Sequence, residues 1–392
     1  MSVTLRTLYE AVKNQEKIRL VAGEKGLERV VRWLHMVEGT DISTFLEGDE
    51  VAFTTGIALS SMEQLYELTE LNYKQKAAGM VINVGPYIRE IPQKVIDFGN
   101  EYDFPIFEVP WRVHMANIMR EFSVLINLDE QKELEIVSAL KNAVIFSENE
   151  NLYVPALLKY GYKREWSYCI GTAEFYNISG TPVKKEEKKL ILRYARKYFG
   201  AWGQKAAVWE MDENIIFFFA NEGEANVREE LEKFWKEIKS FLLQDICAYA
   251  GVGRATKNMR CIGKSFVQAE KIKNLQKKKQ EKDVFRSYQQ LGVYKLLLAM
   301  ENTEVMQEYY QETLGKLEEY DHVNETDYLY FLKQYFDSGC STQDVAASLY
   351  IHRNSVTYKL HRIEEILGRP ISSQEARVNL RIAFMIKEII TL

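Results

Sequence analysis

Apolar positions in the first 125 residues follow two alternating rhythms. "EVAFTTGIAL" (50–59), "GMVINVG" (79–85) and "FPIFEVP" (104–110) are short apolar runs closed by small or turn-forming residues, as buried strands are. Beside them, "LRTLYEAV" (5–12), "SMEQLYELTELNYKQKA" (61–77) and "IPQKVIDFGNEYD" (91–103) repeat apolar residues at helical spacing. Ser60 or Ser61 is placed to cap the second helix, and Pro92 falls near the first turn of the third. Strands alternating with helices predict βαβ units and a largely parallel sheet, an α/β domain over residues 1–125. Ligands of such sheets sit beyond the carboxyl ends of the strands. Thr54, Thr55 and Gly56 end one strand, and Asn83 and Gly85 end another. Their hydroxyls, amide and open backbone are candidates for holding a polar, urea- or amide-rich effector. Thr-Gly at a strand end is also ordinary turn chemistry.

From Val113 to Ser147 the helical spacing runs on without proline or glycine, through Met115, Met119, Phe122, Ile126, Leu134, Val137, Leu140 and Val144. Two readings stay open: a long connector or dimer stalk, and two consecutive packing helices, since Leu128, Asp129 and Glu130 interrupt the seam. A helical connector is assigned to 126–164. Residues 165–298 read as an α+β or α/β unit. Its strands are "EWSYCIGTAEFY", "QKAAVWEMDENIIFFFA" and "CAYAGVGRA"; its helices are "KKEEKKLILRYARKYF", "VREELEKFWKEIKSFLL" and "MRCIGKSFVQAEKIKNLQ". A hairpin turns at Met211 to Asn214. The run "KIKNLQKKKQEK" (271–282) reads as a solvated helix end and loop. From Asn324 to the end the pattern is all helix, with stops at Gly339 and Gly368 and starts at Ser341 and at Ser372 or Ser373.

Charge narrows the functional classes. The net charge is -5, so a nucleic-acid footprint has to be local. The four cysteines are scattered without a C-x-x-C pair, which reads as free thiols in a reducing compartment. The opening residues have no apolar core of a signal peptide, and no run of about eighteen apolar residues spans a membrane. A cytoplasmic location is expected.

The local footprint is found near the carboxyl end. Val345, Ala346, Leu349, Ile351, Val356 and Leu360 have the spacing of a helix-turn-helix core. The second helix then shows His352, Arg353, Asn354, Ser355, Thr357, Tyr358, Lys359, His361 and Arg362. Between His352 and Arg362 there are three Lys/Arg and no Asp/Glu. Recognition helices use their first residues on base edges, with cations and hydroxyls on phosphates. A three-helix packing module with a solvated face would give the same spacing. Tyr350 stands in the turn, where glycine is frequent and a left-handed backbone strains a tyrosine.

"STQDVAASLYIHRNSVTYKLHRIEEILGRPISSQEARVNLRIAF" resembles the C-terminal helix-turn-helix domain of the PucR/CdaR family of bacterial transcription regulators. The matching residues are His352, Arg353, Asn354, Ser355, Val356, Tyr358, Lys359, Leu360, Arg362 and Ile363, with the following Leu-Gly. "LVAGEKGLERVVRWLHMVEGTDISTFLEGDEVAFTTG" with "FPIFEVP" is similar to the family's N-terminal domain, and residues 165–298 resemble its degenerate GGDEF-like middle domain. The resemblance implies a multidomain protein: an α/β sensor domain, an α+β GGDEF-like domain and an all-α helix-turn-helix domain (324–392). It implies an effector-responsive regulator that binds a double-stranded DNA promoter, senses a small molecule such as a purine derivative, and activates a catabolic operon as a homodimer or higher homo-oligomer.

Catalytic readings fare less well. A diguanylate cyclase needs glycines for the nucleotide and acids for metal in its hairpin; here the turn reads Glu210-Met211-Asp212-Glu213-Asn214, without glycine. A nucleotide-binding signalling enzyme remains the alternative function. "GKS" at 263–265 lacks the earlier glycine of a phosphate loop, with Asn258 in its place, and "GVG" at 251–253 has Thr256 in place of the third glycine of a dinucleotide fingerprint. His35 near Glu38 and Asp41 could pair with a carboxylate, and His114 could face a pocket; structural polar groups explain both. No metal, cofactor or nucleophile arrangement is expected.

Overall fold

The computed structural model describes residues 3–14, 16–241, 245–300 and 303–390. Leu242 and Leu243, expected to end a helix, lie outside these residues. The chain divides into two compact units, 1–164 with 196–207 and 165–195 with 208–392.

The first unit holds β1 (Arg19–Ala22), β2 (Trp33–Met36), β3 (Glu50–Thr54), β4 (Gly79–Val84) and β5 (Ile106–Pro110), with α1 (Leu5–Val12), α2 (Met62–Lys74), α3 (Gln93–Glu101), α4 (Met115–Ile145) and α5 (Val154–Lys159). The sheet order is β1-β5-β4-β3-β2. The pairs from β2 to β5 are parallel and β1 runs antiparallel to β5. Side chains alternate faces along each strand. Val51, Phe53, Val81 and Phe107 meet Leu5, Leu8 and Phe122 of α1 and α4, while Ala52, Met80, Ile82 and Ile106 meet Leu65 and Leu68 of α2 and Phe98 of α3. Both faces are covered, so the central strands read as unbroken apolar runs. The edge strands β1 and β2 are only partly buried, and the sequence reading passed over both. Ser61 caps α2, accepting from the Gln64 amide.

The stretch after Val113 is one helix, not two. α4 has 31 residues, about 46 Å at 1.5 Å per residue. Its first half buries Met115, Ile118, Phe122 and Ile126 against the sheet. Its second half buries Ile136, Ala139, Leu140 and Val144, and α5 folds back on it.

The second sheet, formed almost wholly by the second unit, contains β6 (Tyr168–Asn177), β7 (Ala206–Met211), β8 (Asn214–Ala220), β9 (Ile246–Val252) and β10 (Val284–Ser287) in the order β10-β9-β6-β8-β7. β6 is antiparallel to both β8 and β9, and β10 joins β9 in parallel. The helices are α6 (Lys185–Gly200), α7 (Glu224–Phe241) and α8 (Ile262–Lys279). The hairpin turns where expected, with Asp212 at φ 51. Gly251 and Gly253 have a packing reason: a Cβ there would lie 2.2 Å from the Ala269 carbonyl oxygen and 1.9 Å from that of Ser265. They let the α8 backbone lie directly on β9.

The remainder is helical: α9 (Tyr294–Ala299), α10 (Thr303–Tyr310), a π-helical turn (Gln311–Gly315), α11 (Lys316–Asn324), α12 (Tyr328–Asp337), α13 (Thr342–Ser348), α14 (Arg353–Leu367) and α15 (Gln374–Ile390). Residues 303–324, given no element from sequence, bring Met306, Tyr310, Leu314 and Leu317 into one core with Val345, Val356, Ile363 and Leu380. Ile272 and Leu275 of α8 enter the same core.

The lysine-rich stretch departs from its solvated reading. Lys273 is 3% exposed and donates to Asn214 Oδ1 at 2.5 Å and Glu270 Oε2 at 2.9 Å, with Glu174 at 3.6 Å. Lys277 reaches Glu174 at 3.1 Å and Lys279 reaches Glu388 at 3.0 Å. These acids are distant in sequence except Glu270, so the run looked like an unpaired face.

Candidate nucleic-acid interface

α13 and α14 form the two helices of a helix-turn-helix. Ser341 starts α13, its hydroxyl accepting from the Asp344 amide. Ile351, in the turn, donates its amide to the Ala346 carbonyl at 3.0 Å and packs on the helical core with Ala346 and Leu349. His352 is the cap of α14: its Nδ1 accepts from the Asn354 amide at 3.2 Å. Val356, Ile363 and Leu367 are buried, which turns Arg353, Asn354, Ser355, Thr357, Tyr358 and His361 outward.

The expected contact residues divide by what already holds them. Among the described residues none pairs with the Arg353 guanidinium. Lys359 instead meets Asp327 at 2.7 Å and lies over the Tyr328 and Phe331 rings. Arg362 pairs with Glu365 at 2.5 Å and with the Tyr320 hydroxyl at 3.3 Å. Tyr320 lies on α11 and Asp327 immediately before α12, so spacing within α14 could not reveal this.

Tyr350 sits between the helices at φ 55 and is 96% exposed. A left-handed non-glycine residue costs about 1–2 kcal/mol, whereas glycine carries about 0.5–1 kcal/mol more backbone entropy cost. Tyr350→Gly is therefore expected to stabilise the protein by up to about 1 kcal/mol, read as a higher denaturation midpoint with an unchanged m-value.

At the N-terminal sheet edge the five effector candidates are held internally. Glu38, which the sequence reading placed only beside His35, is the organising residue. Its carboxylate accepts from the amides of Thr55 and Gly56 at 3.0 Å each and from the hydroxyls of Thr54 at 3.1 Å and Thr55 at 2.8 Å. Asn83 donates its amide to the carbonyls of Val109 and Pro110. A Cβ on Gly56 would strike Ile88, and one on Gly85 would strike Trp111. The strand ends are thus brought to one edge, with Glu38 seated on Thr54, Thr55 and Gly56.

The hairpin between β7 and β8 is also occupied. Lys188 pairs with Glu210 at 2.9 Å, approaches Glu213 at 3.9 Å and donates to the Asp212 carbonyl. In the "GKS" segment Ser265 accepts from the Ile170 amide at 3.0 Å. Among the described residues no cluster of three or more His, Cys, Asp or Glu is arranged for a metal, and no helix is long and apolar enough to cross a membrane.

Comparison with known proteins gives two family matches. Residues 9–126 match the purine catabolism regulatory protein-like family, and residues 328–386 match the PucR C-terminal helix-turn-helix domain. The purine catabolism regulatory protein of Bacillus subtilis (strain 168) is 19% identical, over 96% of this chain and 98% of that protein. The proline-responsive transcriptional activator PutR of the same organism is 23% identical, over 76% of this chain and 71% of its own. A crystal structure of a regulator of polyketide synthase expression from Bifidobacterium adolescentis covers 65% of this chain and 91% of its own at 14% identity and a TM-score of 0.26. With a purine catabolism regulatory protein-like domain over 9–126, a PucR-type helix-turn-helix domain over 328–386 whose second helix turns its polar face outward, and similarity to transcriptional regulators, this chain is a DNA-binding transcriptional regulator similar to those of the PucR family.

Proposed function

We propose that the protein is an effector-responsive activator of a catabolic operon, for purines or another nitrogen source, acting in the cytoplasm as a homodimer or higher homo-oligomer and without catalytic activity. The observation that carries the DNA reading is the free first turn of α14. Arg353, Asn354, Ser355, Thr357 and Tyr358 are exposed there, and this is the part of a recognition helix that meets base edges. His352 orients the turn, while Lys359 and Arg362 join the contact by leaving Asp327 and Glu365. The name of PutR supports activation and a nitrogenous effector, and that of the purine catabolism regulatory protein supports a catabolic target. In this reading residues 1–125 sense, 126–164 connect, the GGDEF-like 165–298 relay or dimerise, and 324–392 bind the promoter.

Arg353→Ala tests it. If Arg353 contacts phosphate, operator affinity falls for all sequences and the salt slope flattens by about one unit. If it contacts guanine, preference at one base pair relaxes by about 1–3 kcal/mol. Parent-like binding by this variant at moderate salt, in a gel-shift titration across salt concentrations, would defeat the placement.

The effector is assigned to the edge at Thr54, Thr55, Gly56, Asn83 and Gly85, where an amide-rich metabolite would compete with Glu38 for the same amides and hydroxyls. Titration calorimetry of the full chain should give weaker binding for Thr55→Val. The absence of catalysis is supported by the Lys188 pairing of the hairpin acids. Incubation with GTP and magnesium is expected to give no turnover, and turnover would favour the signalling-enzyme alternative.

A further inference from the structure

We propose that the pocket between α8, α12 and α15 binds a small organic anion, with the Lys278 ammonium as its charge partner. The pocket has a volume of about 310 Å³, at the lower end of small-molecule sites. Leu329, Tyr330 and Phe384 supply apolar wall, and Lys278, Lys279, Lys333, Lys387 and Glu388 supply the charge.

The charges do not cancel. Lys279 and Lys333 both pair with Glu388 at 3.0 Å, and the Tyr294 hydroxyl donates to the same carboxylate. Lys387 pairs with Glu318 at 2.7 Å. Lys278 donates to the Lys387 backbone carbonyl at 2.8 Å, and among the described residues no carboxylate pairs with it. Burial lowers its pKa, and Lys387 and Lys333 add to this against the pull of Glu388. A half-buried ammonium that no carboxylate pairs with, beside two further lysines and a Glu388 already shared by Lys279 and Lys333, is unfavourable. A carboxylate or phosphate in the pocket would supply the missing charge. The apolar wall calls for more than a bare ion, because Leu329, Tyr330 and Phe384 gain only from a hydrocarbon or aromatic body. A neutral amide would leave Lys278 uncompensated. This site is separate from the edge at Glu38, and the proposal does not rest on the effector assignment there.

The test is calorimetric titration of the full chain with phenyl phosphate, benzoate and inorganic phosphate at constant ionic strength. At least one of the two aromatic anions should bind saturably with one site per chain, and inorganic phosphate should bind at least ten-fold more weakly. Lys278→Met should weaken the aromatic anion at least ten-fold while leaving the melting temperature unchanged or higher, since it removes an uncompensated charge. Leu329→Trp should abolish binding by filling the pocket; if that variant does not fold, Lys278→Met carries the test alone. Failure of both aromatic anions to bind overturns the proposal. So does parent-like binding by Lys278→Met, and so does inorganic phosphate binding as tightly as the aromatic anions.

Discussion

Lys273→Met is expected to destabilise the second unit by about 3 kcal/mol, at the low end of the 3–5 kcal/mol range for breaking a buried ion pair. Methionine keeps the length of the side chain and removes its charge. Glu270 and Glu174, both largely buried, then lose a shared cation, and Asn214 loses its donor. The low end applies because Glu174 keeps Lys277 and Tyr176. The same site gives a pH signature. Burial alone would raise the Glu174 pKa, but hydrogen bonds from Tyr176 and Lys277 and the charges of Lys273 and Lys277 outweigh it and hold the carboxyl below its ordinary value. A carboxylate depressed in the folded state stabilises fully above its unfolded pKa of about 4.3 and loses that contribution as pH falls through the folded value. Without Lys273 the depression is smaller, so the variant should lose less stability than the parent as pH falls below the unfolded pKa of about 4.3. Urea denaturation midpoints across that range measure both effects, and an unchanged midpoint at pH 7 would count against the buried pair.

Glu38→Ala has the second large effect expected. Four donors converge on this carboxylate, two of them backbone amides. An orphaned buried donor costs about 1–3 kcal/mol. Glu38 is only half-buried, so water can replace part of what is lost, and about 2–3 kcal/mol is expected in total. Glu38→Gln keeps one acceptor oxygen and should lose less than half of that. Chemical denaturation of the two variants separates the contributions; equal losses would show that charge, rather than acceptor geometry, holds the edge together. The glutamine variant also serves the effector reading, because a ligand competing with Glu38 should bind it more tightly than the parent.

What could be read from sequence followed burial. The strands β3, β4 and β5 are covered on both faces, and their apolar runs announced them. β1 and β2, at the sheet edges, mix exposed and buried positions without a period and gave no signal. The left-handed turn at Tyr350 was legible because the helix-turn-helix spacing demands such a backbone whatever residue stands there. Long-range polar partners were not legible. Nothing near Glu38 announces Thr54 to Gly56, nothing in the lysine run points to Glu174 or Glu388, and nothing within α14 points to Asp327 or Tyr320. These pairings arise from topology, and they decide which cations of α14 are held by an acid and which are not.

The core that joins α8 and α10 to α15 bears on how such a regulator can be rebuilt. Met306, Leu314 and Leu317 cover the same apolar interior as Val356 and Leu380, so the helix-turn-helix is not a bead on a flexible string. A hybrid that exchanges only the last seventy or so residues would keep half of this interior from each parent, with side chains that never evolved against one another. Grafts of operator specificity should survive best when they replace the outward residues of α14 alone, leaving every buried partner in its native company.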